Sequence, residues 1–202
     1  MIEIRPFASL GHADHGWLDA RHHFSFSSYH DPARMSWGAI RVWNDDRIAA
    51  QSGFPPHAHN DMEIVTYVRS GAITHQDSMG NSGRTAAGDV QVMSAGSGVR
   101  HSEYNREDEE TTLFQILASG DPADGALSIN ADARVMGATL KAGERIEIAI
   151  DPARHLYLVP GAPVRINGVA AGARDGAAIR GEATLTIEAG DADAELVLVD
   201  AR

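Results

Sequence analysis

Pro55-Pro56-His57-Ala58-His59 is the stretch on which the reading of this 202-residue chain turns, and His101-Ser102-Glu103 is its counterpart. In a β-strand, residues i and i+2 point to the same face, so an HxH pair on a strand aims two imidazoles at one point. His101 and Glu103 share that spacing. On neighbouring strands the two segments would bring together three imidazoles and one carboxylate. Such a donor set suits a divalent first-row metal: Fe(II), Mn, Co, Ni, Cu or Zn. With four protein ligands, an octahedral ion keeps two positions open for substrate or dioxygen. A lone HxH is more often surface chemistry; the second pair and the surrounding strand pattern are what make it a candidate site.

The rest of the chain reads as β almost throughout. Segments 37–43, 62–69, 71–76, 90–93 and 111–118 are candidate strands, with turn signals at Ser70-Gly71 and at Asp77 to Gly83. In the second half, Arg145 to Ile150 alternates charged and apolar residues, the pattern of a half-buried strand. Segments 155–159, 164–167, 177–180, 184–188 and 195–199 continue the texture. Many short strands broken by Gly, Pro and Asp predict an all-β sandwich or barrel. The polar, aromatic segment 12–31 shows no assignable period. A turn-rich stretch, Ser119 to Asp132, separates two strand-dense blocks, which places the domains at 1–120 and 121–202. Without a strict repeat in sequence, the two halves can still be duplicates at the level of the fold.

Composition narrows the chemistry. The chain has no cysteine, which excludes disulfide scaffolds, thiolate metal sites and a Cys nucleophile. It carries 28 acidic against 17 basic residues, a formal net charge of -11, the wrong sign for direct nucleic-acid binding. No apolar run approaches the roughly 18 residues of a membrane span, and the start has no basic and then apolar signal pattern. The expectation is a cytoplasmic protein with no membrane partner. Nine of the ten histidines lie within the first 101 residues, so any imidazole chemistry belongs to the first half.

Wider spacing adds a resemblance. Gly53, His57, His59, Glu63 and Gly71, then Gly88, Gly96, His101 and Asn105, resemble the two motifs of the cupin superfamily of small metal-binding β-barrels. Ser94 departs from the proline usual in the second motif, and Glu103 adds a carboxylate. That second departure points to one family. Arg21 to Tyr29, Asp31-Pro32, Trp37-Gly38, Arg41-Val42, Asn44-Asp45-Asp46, Gly53 to His59, Asp61 to Val68, Asp77 to Asn81 and Gly98 to Glu103 resemble pirin over nearly all of the first 116 residues. The resemblance implies two tandem jelly-roll-like cupin barrels. The first would hold one metal, taken as Fe(II), on His57, His59, His101 and Glu103. The second, with only His155, would be metal-free. It also implies ring-opening dioxygenation of a flavonol such as quercetin, with a small aromatic substrate, O2 and Glu103 as general base. The alternative is a non-enzymatic regulator that acts through a protein partner, with the metal as redox switch.

The remaining residues have plainer expectations. Glu63 is expected to orient an imidazole from behind the ligands. His75 is expected on an exposed strand face, and His12, His15, His22, His23 and His30 on a surface segment. Trp17, Phe24, Phe26, Trp37 and Trp43 are expected to pack the core. The run Glu107-Asp108-Glu109-Glu110 reads as a solvated turn. Pirin-like chains carry a longer segment after the strand matching Leu113 to Ile116 than Leu117-Ala118-Ser119-Gly120 provides, so the joint after Ile116 looks short.

Overall fold

The computed structural model describes residues 1–118 and 130–202. These residues form strands and two short 3-10 turns, with no α-helix among them. In chain order the strands are β1 (Ile2–Arg5), β2 (Gly11–Asp14), β3 (Leu18–His22), β4 (Val42–Ile48), β5 (Ser52–His59) and β6 (Glu63–Ser70). Then come β7 (Ala72–Asp77), β8 (Ser82–Ala86), β9 (Val90–Ser94), β10 (Val99–Asn105) and β11 (Thr111–Ala118). The second half contributes β12 (Ala133–Leu140), β13 (Arg145–Ala149), β14 (His155–Pro160), β15 (Val164–Ile166), β16 (Val169–Ala171), β17 (Gly176–Arg180), β18 (Thr184–Ala189) and β19 (Ala194–Ala201).

The chain divides into two compact units. One comprises residues 11–36 and 40–131. It is built from a six-stranded sheet, β2-β3-β4-β11-β6-β9, and a four-stranded sheet, β5-β10-β7-β8. All named pairings are antiparallel. β10 shows why the sequence makes a strand here: Val99, His101, Glu103 and Asn105 are buried while the residues between them are not, the period-two pattern of a sheet with one face inward. Apolar clusters fill the interior in two places. Leu18, Ala20, Ile48, Val68, Ile73 and Leu113 form one. Val42, Ile64, Met93, Ala95, Val99 and Leu117 form the other.

One row of the six-stranded sheet is polar. The register pairs His22 with Asn44, Asn44 with Gln115, Gln115 with Thr66, and Thr66 with Gln91. His22, Asn44, Gln115 and Thr66 are buried. Ile64, Val68, Leu113 and Leu117 on the same face are apolar and buried, while Asp46 adds a buried carboxyl beside Asn44; the polar row meets the site described below.

The other unit comprises residues 1–10, 37–39 and 132–202. Its sheets run β1-β17-β14-β19-β12 and β13-β18-β15-β16. Its interior is apolar: Leu156, Leu158, Ile179, Leu185, Ile187, Leu196 and Leu198 belong to one buried cluster. The division differs from 1–120 and 121–202 at the chain's start. Ile2 and Ile4 pack against this cluster, and β1 pairs with β17, a partner too far along the sequence to be read from local pattern. Most of the boundary segment Ser119 to Asp132 lies outside the described residues. β11 runs without interruption through Ile116 and Leu117, paired with Trp43 and Val42 on one side and Val65 and Ile64 on the other.

The strands expected from the sequence fall within a residue or two of observed ones, except the one expected at 37–43, which is β4 at Val42–Ile48; β1, β2, β3, β8, β12 and β16 lie where no strand is expected. Residues 37–39 belong to the other unit, where Trp37 Nε1 donates to the Leu156 carbonyl at 2.9 Å. Phe24 and Trp43 are fully buried and Trp17 packs edge-on against Phe54, whereas Phe26 is exposed. Segment 12–31 holds the β2–β3 hairpin and an isolated Phe26–Tyr29 bridge.

Candidate metal centre

β5 is the edge strand of the four-stranded sheet, and β10 lies between it and β7. The edge position is what tolerates Pro55 and Pro56, which have no N–H for a ladder. The register of β5 against β10 shifts at this point. His101 pairs with His57, but Glu103 pairs with Phe54. The bulge holds one extra residue on the proline side, and bulges bend a strand and re-aim its side chains. Just beyond it, Gly53 lies so close to β10 that a Cβ there would overlap the Glu103 carbonyl oxygen. Only glycine permits this approach.

The result is a cluster of imidazoles. Ring centroids of His57 and His101 are 4.3 Å apart, those of His57 and His59 4.9 Å, and those of His59 and His101 5.0 Å. One donor atom from each of these three rings lies within 4.8 Å of the others. A second set within the same limit comprises His75, His101 and Glu103, so His101 joins two overlapping triads. Of the four residues expected as ligands, three form the first triad and the fourth, Glu103, is linked to it through His101.

The nitrogens are prepared for a cation. His57 Nδ1 lies 2.9 Å from the Pro55 carbonyl. A carbonyl can only accept, so Nδ1 carries the proton and Nε2 keeps its lone pair. The Nε2 atoms of His59 and His101 are buried without a hydrogen-bond partner, an arrangement that is costly unless something else binds there. Burial and then the neighbouring imidazoles of His57, His59 and His75 hold the His101 pKa down to about 3. Burial, followed by His57, lowers that of His59. Both rings are therefore neutral near pH 7, as metal ligation requires. Bare imidazole nitrogens with a carboxylate and no thiol fit a divalent transition metal.

Glu103 is 1% exposed. Its two oxygens accept hydrogen bonds from Thr66 Oγ1 at 3.0 Å and Gln115 Nε2 at 2.6 Å. Both donors come from the polar row of the facing sheet. Burial pushes the Glu103 pKa up, and the hydrogen bond from Thr66 pulls the other way.

Several other expectations are corrected. His75 is buried, 6% exposed, and not on a solvated face. It stands directly opposite Glu103. Its Nδ1 is 3.0 Å from Gln91 Nε2 and 3.4 Å from His101 Nδ1, and its Nε2 is 3.5 Å from Asp77 Oδ2. His75 and Asp77 are a third i, i+2 pair, and the same rule that singled out HxH could have found them. Glu63 is buried but meets no imidazole. Its oxygens accept from Ser94 Oγ at 2.6 Å and Asn130 Nδ2 at 3.2 Å. The turn at Asp61, where φ is 54°, breaks the strand before Glu63, so the alternation from His57 does not carry to it. His22 and His23 are buried rather than superficial; His22 Nδ1 is 2.8 Å from Asn44 Oδ1. The run 107–110 is, as expected, a surface turn, with Glu107 on Arg84 and Glu110 on Arg47. His155 packs edge-on against Trp37. An open cavity of about 440 Å³ lies beside His59 and is also lined by Asp61, Ser78, Ser97 and Arg100.

Comparison with known proteins decides the family. Residues 3–117 match the pirin family, and residues 116–201 match the quercetinase C-terminal cupin domain. The chain belongs to the pirin family. A pirin-like protein of Caulobacter vibrioides is 58% identical, with all of both chains covered. A quercetin 2,3-dioxygenase of Escherichia coli K12 is 41% identical over 99% of this chain and 98% of its own. A crystal structure of a bacterial pirin from Escherichia coli in complex with nickel(II) superposes with a TM-score of 0.93 at 39% identity, covering 100% of this chain and 99% of that one. The first two alignments run over 233 and 228 positions. Both alignments are longer than this 202-residue chain, so these pirin relatives carry roughly two to three dozen residues that the present sequence lacks. The two-cupin, all-β architecture and a divalent metal site are properties of this family that the fold and the imidazole cluster share.

Proposed function

We propose that the protein is a metal-dependent dioxygenase that opens the ring of a flavonol such as quercetin with O2, in the cytoplasm. The observation that carries this reading is the convergence of the His57, His59 and His101 nitrogens, in a chain whose curated relatives include a quercetin 2,3-dioxygenase. Those three imidazoles and Glu103 would hold the ion, which we take to be Fe(II); the related pirin was crystallised with nickel(II). When bound, the metal supplies a Lewis acid for the substrate's oxygens and a path for electrons toward dioxygen.

The residues of the chain divide the remaining work. The cavity beside His59 admits a small molecule. Glu103, raised by burial, takes the proton of the substrate hydroxyl on a carboxylate oxygen. Thr66 and Gln115 hold that carboxylate in place from the facing sheet. A general base placed this way needs a pKa lifted toward the working pH, and burial is the physical means.

The experiment is an assay of protein loaded with Fe(II) or Ni(II), following quercetin absorbance together with O2 uptake. Stoichiometric loss of both, abolished in Glu103→Ala, is expected. No turnover under conditions where the Escherichia coli enzyme is active would remove this function.

A further inference from the structure

His75 is the buried imidazole that the proposed reaction leaves without a role, although its surroundings are fully specified. Asp77 Oδ1 accepts hydrogen bonds from the Met79 and Asn81 backbone N–H groups, and Oδ2 accepts from Asn81 Nδ2 at 2.8 Å. A carboxylate held by three donors is ionised and only accepts. His75 Nε2, 3.5 Å from Asp77 Oδ2, therefore carries the proton of its ring, and His75 Nδ1 keeps a lone pair. Gln91 turns its amide nitrogen toward that lone pair at 3.0 Å, and its Oε1 accepts from Thr85 Oγ1. The other hydrogen-bond contact of His75 Nδ1 is His101 Nδ1 at 3.4 Å. Two bare nitrogens would repel at that distance, so His101 Nδ1 carries hydrogen. Gln91 and His101 share one acceptor, which explains the longer of the two contacts. His101 Nε2 is left with its lone pair, and it is this atom that is buried without a hydrogen-bond partner.

We propose that His75 is a positioning residue for metal binding: backed by Asp77, it holds His101 in the Nδ1–H tautomer and so turns the Nε2 lone pair to the ion. Metal-bound histidines are usually fixed by a carboxylate or carbonyl on the other ring nitrogen. His57 follows that pattern with the Pro55 carbonyl. For His101 the carboxylate of Asp77 acts through a second imidazole. The register makes this necessary: His101 faces Asp77 directly across β7, and His75 faces Glu103, so His75 fills the diagonal between Asp77 and the ring of His101. Asp77 also starts the turn containing Ser78, which lines the cavity beside His59, so one carboxylate ties the cavity rim to the ligand's tautomer.

The inference rests on the reading of His57, His59, His101 and Glu103 as a metal site. The test compares wild type, His75→Leu and His75→Asn by titration with Co(II) and by proton NMR of the Co(II)-loaded proteins. Asparagine places an acceptor oxygen where His75 Nδ1 stands; leucine removes the acceptor. We expect His75→Leu to weaken Co(II) binding by about 10–100-fold, and His75→Asn to recover most of the loss. The exchangeable, hyperfine-shifted N–H signal of His101 should shift or exchange rapidly in His75→Leu, while that of His57 stays. Unchanged affinity and unchanged N–H signals in His75→Leu would overturn the proposal. So would equal loss of Co(II) in both variants with wild-type melting, because His75 would then be a ligand itself. A wild type that binds no Co(II) would instead sink the metal-site reading beneath it, an outcome distinct from either.

Discussion

The two barrels use the same architecture for opposite interiors. In the C-terminal unit, Leu156, Leu158, Ile179, Leu185, Ile187 and Leu198 close on one another as a dry core. In the N-terminal unit, the equivalent space holds His75, His101, Glu103, Thr66, Asn44 and Gln115, most with named polar partners. Burying unpaired polar groups costs free energy and burying leucines gains it. The difference therefore assigns the work: one barrel is built for stability, the other trades stability for a ligand-ready centre. The Nε2 atoms of His59 and His101, buried without a hydrogen-bond partner, are where that trade shows.

Substitutions can break this contrast one barrel at a time. The largest effect is expected for His101→Ala, because His101 belongs to both donor triads. Metal affinity should fall by more than the roughly 10–100-fold that a supporting residue is worth. The rise in melting temperature that metal causes in the wild type should vanish. Calorimetric scans with and without Ni(II) would show it. Leu158→Ala should do the reverse. It removes a fully buried side chain and should cost about 2–5 kcal/mol in urea unfolding, with metal affinity unchanged. If Leu158→Ala lowers metal affinity, the division of labour is wrong.

Thr66→Val is a smaller change. It keeps the volume and removes the hydrogen bond to Glu103. The expected cost is about 1–3 kcal/mol from the unsatisfied carboxylate oxygen, seen in unfolding of metal-free protein. The smallest effect is one of slope. Asp46 lies buried inside the N-terminal unit, and burial, followed by Asp45 and Glu103, raises its pKa well above 3.8. The unfolded chain releases this proton first. As pH rises from about 4 through the folded value, the folded state binds more protons than the unfolded one, and stability falls. Asp46→Asn should remove that part of the decline, making the melting temperature of metal-free protein less steep with pH above 4. An identical slope in wild type and variant would contradict it.

What could be read in the sequence, and what could not, follows from the range of each interaction. The pairs His57/His59 and His101/Glu103 were legible because i, i+2 spacing is local geometry. So were strands such as β11 and β13, whose pattern lies within a few residues. The same rule covers His75 and Asp77, but a single histidine on a short strand looks the same whether its face is wet or buried. That is decided by Gln91 and Glu103, from other strands. The addition of β1 to the C-terminal sheet depends on a pairing between Ile2 and Ile179, which no local signal carries. Glu63 was misread because the turn at Asp61 resets the alternation.

The central claim is that one barrel of the two binds one metal ion at a defined point. Anomalous diffraction from crystals of protein purified without added metal, collected at the absorption edges of iron, nickel and zinc, tests it most directly. The account predicts a single peak per chain, bonded to nitrogens of His57, His59 and His101 and to an oxygen of Glu103. A peak within the C-terminal barrel, or one bonded to His75 in place of His57, would contradict it.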